Sequence, residues 1–227
     1  MKKLRILLLL AVFLLSACQL IAPARPGERI SACSEIIFEI ERLQPESIPE
    51  HLLTTGTKRG DEFDVNQYFN ALTHLSMRDG YILDYVYQRE ELAGYPLLYP
   101  RPVDQAPYAS TADIPENEEW PDFLEYLEVE DTERGYFEYV VMDIMANQFY
   151  LFWQANYNDT YIVCNRGQVN DIVAQVSSGE FGNAMDAAQQ AEARTLRNIV
   201  PVVHLAGNTA IVELVTFTKW GGFYRVT

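Results

Sequence analysis

The sequence predicts an α+β fold in which helices pack on a curved antiparallel β-sheet. Residues 200–227 read as short β-rich runs broken at Gly207-Asn208 and Gly221-Gly222, the pattern of a meander. Just upstream, Val169, Ile172, Val173 and Val176 recur at helical spacing, and an alanine-rich stretch follows. The chain has 227 residues, 48% of them hydrophobic, which is enough to bury one substantial core or two small ones.

Residues 1–17 form a separate element. Lys2, Lys3 and Arg5 precede ten uncharged apolar residues, 6–15, and Ser16 and Ala17 are small. That order is the pattern of a cleaved secretory signal. Ten apolar residues are half of the about twenty needed to span a bilayer, and Pro23, Arg25 and Pro26 close the window beyond. Leu15-Ser16-Ala17-Cys18 resembles the lipobox of bacterial lipoprotein precursors. The resemblance implies that residues 1–17 are a signal peptide and that Cys18 becomes a lipidated first residue. It also implies a diacylglyceryl thioether and, in many bacteria, an N-linked fatty acyl chain such as palmitate. Stable anchoring takes more than one chain, which that modification supplies. Gln19 stands where an aspartate would retain a lipoprotein in the inner membrane, so the implied address is the cell envelope outside the cytoplasm, at the outer membrane if the cell has one. Residues 18–32 then serve as lipidated cysteine and tether, with Pro23, Pro26 and Gly27 and no apolar period.

Loss of the leader removes three of 17 basic residues and none of 32 acidic ones, so the mature net charge falls from −15 to −18. So acidic a body repels nucleic acid, which excludes that class of partner. With Cys18 lipidated, Cys33 and Cys164 remain as an even pair in an oxidising compartment and are expected to form a disulfide. Two buried thiols are the alternative.

The globular body is expected over residues 33–227. Residues 33–43 fit two periods: Ile36, Phe38 and Ile40 alternate as in a strand, while Ile36, Ile37, Ile40 and Leu43 fit a helix. Asp64 is an expected N-cap for a helix over residues 64–77, with Val65, Phe69, Leu72 and Leu75 on one face. Residues 81–88 and 94–99 read as paired strands. Residues 96–134 combine six of the 11 prolines with an acidic patch and predict a surface excursion without regular helix or central strand. Residues 136–164 are rich in aromatics and predict three strands, the middle one at residues 149–153 covered on both faces. Phe149 and Phe152 are expected in the core. Asn183 is an expected cap for the alanine-rich helix. The helix pair followed by a meander is loosely similar to cystatin and NTF2-type folds, in architecture without a shared motif. The body otherwise resembles uncharacterised bacterial lipoproteins.

The strong catalytic, nucleotide and metal motifs are absent: no GxSxG, GxGxxG, Walker loop, HExxH or CxxC occurs. His51, His74 and His204 lack metal-ligand spacing, so no metal and no cofactor is predicted. One constellation follows from register. If Gly207-Asn208 is a two-residue hairpin loop, His204 faces Ile211 and Val202 faces Glu213, and His204 and Glu213 become diagonal neighbours on one face. A two-residue loop at Gly221-Gly222 would add Lys219 and Tyr224 to that face, making a small-molecule pocket. Trp153 and Tyr157 are candidates for stacking on a flat ligand, Tyr157 because it sits in a polar turn. The acidic patch lacks the spaced loop that binds calcium. Two functions remain: a non-catalytic lipoprotein that binds a small molecule or protein partner, or a small pocket enzyme with His204 as base and Glu213 as its orienting carboxylate. A buried pair favours the enzyme; a solvated pair favours binding.

Overall fold

The computed structural model describes residues 26–115, 120–153, 160–177 and 184–227. The α+β expectation holds: helices pack against antiparallel strands. The strands form three open sheets rather than one curved sheet, and the finer likeness to cystatin or NTF2-type folds finds no support in that layout. Among the described residues, no helix is long and apolar enough to cross a membrane.

Strand β1 (Glu28–Arg29) leads into helix α1 (Cys33–Leu43). The helical period prevails in α1 because Cys33, Ile36, Ile37 and Ile40 then share one buried stripe and Phe38 is left 60% exposed. A strand would have buried Phe38 with Ile36 and Ile40. Helix α2 (Glu50–Thr55) ends at Gly56, whose φ of 68° closes the helix in the left-handed region. Asp64 does cap, accepting from the Asn66 amide at 3.0 Å, but the element it starts is a short 3-10 helix, Val65–Asn70. The expected helix over 64–77 stops there, and Leu75–Met77 becomes strand β2. Its apolar residues find partners across the fold that a continued helix would not reach.

Strands β3 (Tyr81–Arg89) and β4 (Ala93–Pro102) form the longest hairpin. β4 takes in Pro96, Pro100 and Pro102, which correct the expected strandless excursion. They sit opposite Tyr87, Leu83 and Tyr81, at alternate positions whose missing N–H groups point away from β3. Strand β5 (Leu127–Val129) pairs with β2. Helix α3 (Glu133–Met145) replaces the first strand expected in the aromatic segment. Thr132 caps it by accepting from the Gly135 amide at 3.0 Å, and Phe137, Val141, Met142 and Met145 bury one stripe. Capping and the long-range stripe outweigh the β-propensity of Tyr, Phe and Val. Glu138 is fully buried in α3. It accepts from the His74 amide at 2.7 Å and from Arg134 Nε at 2.8 Å and pairs with His74 Nδ1 at 3.1 Å. That network ties α3 to the start of β2.

The expected strand at 149–153 shrinks to β6 (Phe152–Trp153), paired with β4. Tyr150 takes a φ of 52°, which breaks the extended run and turns Phe149 and Tyr150 into the core. Phe152, expected in the core, is 44% exposed. Strand β7 (Thr160–Val163) precedes helices α4 (Arg166–Ser177) and α5 (Ala187–Thr195). Asp186 caps α5; Asn183, the expected cap, lies outside the described residues. The meander follows as β8 (Val202–Ala206), β9 (Thr209–Thr218) and β10 (Gly222–Val226).

In this sheet the order β1-β8-β9-β10 is joined by β7, which pairs with the same stretch of β9 as β10 and so lies on its other edge. Val203 and Val212 join the larger core, which contains α3; Val215 and Phe217 join a second core under α4 and α5. By the alternation of the strand, these are the two faces of one sheet. The expected pairing of Cys33 and Cys164 is present. Their sulfurs are at disulfide distance with Cα atoms 5.6 Å apart, joining the start of α1 to the residue after β7 across 131 residues.

Candidate functional site

Among the described residues, polar side chains gather at the open edge of β3 around the buried Asp84. An unpaired strand edge must have its amides and carbonyls satisfied. Here side chains do it. The Asn66 carboxamide both donates to the Leu83 carbonyl at 2.8 Å and accepts from the Leu83 amide at 3.0 Å. Two residues on, the Tyr85 amide donates to Asp84 Oδ1 at 2.7 Å. Asp84 is the single acid within an otherwise apolar stretch, so it is buried and must be paired. Lys58 Nζ donates to Oδ1 at 2.6 Å and Arg101 Nε to Oδ2 at 2.7 Å. The three side chains are 11%, 12% and 14% exposed for Lys58, Asp84 and Arg101. The Lys58 ammonium also lies 4.5 Å from the centroid of the Tyr85 ring.

These groups line a cleft of about 500 Å³ between the 58–66 segment, the edge of β3 and Pro107–Ala109. Lys58 anchors one wall to the other through its amide, which donates to the Ala109 carbonyl at 2.8 Å. Tyr85 is 2% exposed and its hydroxyl has no hydrogen-bond partner among the described residues. Burial, and then the nearby Tyr150, Glu62, Asp84 and Asp64, push its phenol far above the ordinary range, so it is a donor at every working pH. Tyr99, beside Arg101, is pushed up to about 12, chiefly by burial.

Glu62 closes one end of the cleft. It accepts from the Arg59 amide at 2.5 Å and the Gly60 amide at 2.9 Å and meets His51 Nε2 at 2.6 Å. Burial alone would raise its pKa; those hydrogen bonds outweigh it and hold the carboxyl below the ordinary value. His51, Asp61 and Glu62 bring one ligand atom each within 4.8 Å of one another and are, among the described residues, the group able to hold a metal ion. Both Glu62 oxygens already have partners.

The sequence-predicted pocket lies elsewhere. The Gly207-Asn208 loop gives the expected register, His204 opposite Ile211 and Val202 opposite Glu213. His204 Nε2 stands 3.8 Å from Glu213 Oε1, with side chains 38% and 42% exposed. They border an open hollow of about 550 Å³ with Arg29, Arg166 and Asn198. Gly27 abuts the imidazole so closely that a Cβ there would collide with it. Lys219 and Tyr224 do not join them. The β9–β10 loop is Lys219-Trp220-Gly221, so Tyr224 pairs with Thr216 on the opposite face. Lys219 lies 6.0 Å from the Tyr161 ring and borders a separate hollow beside Trp220. Trp153 is in β6, but its ring, Tyr157 and Cys18 lie outside the described residues.

Lys58, Asp84, Tyr85 and Arg101 were not singled out by sequence reasoning. A signal existed in Asp84, a lone acid inside an apolar strand, and in Arg101 between two prolines. The chain matches no protein-family model, no curated protein and no solved structure.

Proposed function

We propose that this chain is a lipid-anchored protein that works outside the cytoplasm by binding a ligand rather than by catalysis, with the β3-edge cleft as its site. The observation that carries the binding half is a shielded charge cluster in the wall of a cleft, where Lys58 and Arg101 share Asp84 and keep unused donors. Cations with donors to spare beside apolar side chains are what a small-molecule site offers. Support for the address comes from the lipobox-like Leu15-Ser16-Ala17-Cys18 and from the Cys33–Cys164 pair, which suits an oxidising compartment. The alternative, an enzyme with His204 as base and Glu213 as partner, gets no help from their geometry. At 3.8 Å and more than a third exposed, the two are solvated, and the hollow that the described residues form beside them is open.

Two measurements test the reading. Intact mass of the membrane-extracted protein should start at Cys18, carry added lipid and show no free thiol until reduction; a full-length mass with three free thiols overturns the anchor. For the site, the small-molecule fraction of a cell extract is titrated into isotope-labelled protein. Amide signals of Asn66, Tyr85 and Ala109 should move while those of His204 and Glu213 stay. Movement confined to the meander pair overturns the placement.

A further inference from the structure

We infer that the β3-edge cleft takes a small organic monocarboxylate, held by Lys58 and Arg101. This rests on the cleft being a binding site and names what it binds. The argument is an inventory of donors and acceptors.

The shielded carboxylates of the lining are already occupied, and the exposed Asp64 is engaged through Oδ1 alone. Asp84 accepts from Lys58, Arg101 and the Tyr85 amide. Asp64 accepts from the Asn66 amide and carboxamide. Glu62 holds two amides and faces His51. The donors are not exhausted. Lys58 gives one of its three ammonium hydrogens to Asp84. Arg101 gives Nε to Asp84 and Nη1 to the Gln105 carbonyl at 2.5 Å, and Nη2 has no partner among the described residues. The cleft therefore offers hydrogens and asks for oxygens, and the ligand must bring acceptors.

Charge narrows the class. Lys58 and Arg101 share one carboxylate, so this triad keeps one uncompensated positive charge, and it is largely shielded from water. The whole lining balances three cations, Lys58, Arg59 and Arg101, against Glu62, Asp64 and Asp84. One further negative charge suits the triad. A phosphate dianion would add a second charge facing Glu62 and Asp64, with no cation left for it. A neutral sugar would leave the positive charge of the triad unanswered. A carboxylate supplies two coplanar oxygens that match a guanidinium edge and an ammonium. Of the apolar residues in the lining, Phe63, Val65, Ile82 and Leu83 would flank a short carbon chain. A volume of about 500 Å³ fits a molecule of modest size.

The test uses labelled full-length mature protein and defined probes: acetate, lactate, pyruvate and hexanoate, against inorganic phosphate and glucose, each followed by amide shifts at Asn66, Tyr85 and Ala109. The expected result is saturable shifts with one or more monocarboxylates. Arg101→Gln and Lys58→Met should each weaken binding about tenfold or more. Unshifted amides in β8–β10 show that each variant is folded. If phosphate or glucose saturates the same amides and the monocarboxylates do not, the ligand class is wrong and the cleft remains a binding site. If no probe moves them, the carboxylate inference fails, and if the extract titration is also silent the site fails with it. Equal binding by wild type and Arg101→Gln also overturns the inference, because it removes the charge argument.

Discussion

The edge of β3 and the end of the meander both bring a cation-capable side chain to a carboxylate, yet they are opposite kinds of place. At the β3 edge, Lys58, Asp84 and Arg101 meet at 2.6 and 2.7 Å with little access to water. At the meander, His204 and Glu213 stand 3.8 Å apart in solvent. The first grouping is drawn from three separate segments and sealed by the 58–66 loop. The second is written in the register of one hairpin. Proximity along a sheet is cheap to encode, but desolvation requires chain from elsewhere, and desolvation sets how much a charge pair matters.

The two regions share one covalent link, and cutting it has the largest expected effect. Cys33 belongs to the core beside the β3 hairpin, and Cys164 follows β7 of the meander sheet. On the chain-entropy model a loop of 131 residues is worth roughly 4–5 kcal/mol. A Cys33→Ala, Cys164→Ala double variant should lose about that much in equilibrium urea unfolding. A loss below about 1 kcal/mol would mean that the link restrains little of the unfolded chain.

Asp84→Ala against Glu213→Ala tests the contrast itself. Removing Asp84 leaves two shielded cations and the Tyr85 amide without their acceptor, a cost of about 3–5 kcal/mol. Removing Glu213 should cost less than about 0.5 kcal/mol, because the pair is long and solvated. Similar midpoint shifts for the two variants would dissolve the distinction between the regions.

Acid should act on the β3 side. Glu62 has a folded pKa below its ordinary value of 4.5, so its contribution is present above that value and is lost as pH falls through the folded pKa. Glu62→Gln should therefore flatten the fall of stability below pH 4.5. Melting temperatures across an acid series read this directly.

The meander was legible because short turns fix register: Gly207-Asn208 sets every pair from Val202 to Glu213. The paired strands β3 and β4 and helix α4 were legible for similar local reasons. The next turn shows how narrow that legibility is. A loop of Lys219-Trp220-Gly221 sends Tyr224 to the face away from Glu213. Helix α3 carried one local signal that sequence reasoning passed over, its cap at Thr132, which accepts from the Gly135 amide. It was hidden because its residues favour strands and its buried Glu138 is held by His74, 64 residues away in sequence. The β3-edge cleft was hidden for the same reason. Lys58 reaches Asp84 across 26 residues and Arg101 across 17, and no local period announces either contact. The acidic composition masked it further, since a chain of net charge −15 directs attention to its acids while two shielded cations define the cleft.

The smallest expected effect is the most discriminating, because strand β3 contains its own control. Tyr85 and Tyr87 lie on the same face and are 2% and 1% exposed. The Tyr87 hydroxyl donates to the Tyr150 carbonyl at 2.8 Å; that of Tyr85 donates to nothing among the described residues. Removing a satisfied hydroxyl strands its acceptor, so Tyr87→Phe should cost about 1–3 kcal/mol. Removing an unsatisfied one relieves a desolvated group, so in ligand-free protein Tyr85→Phe should be neutral or stabilising by up to about 1 kcal/mol. If Tyr85→Phe is instead as damaging as Tyr87→Phe, the Tyr85 hydroxyl already has a partner in the fold, and the contrast between the two tyrosines fails.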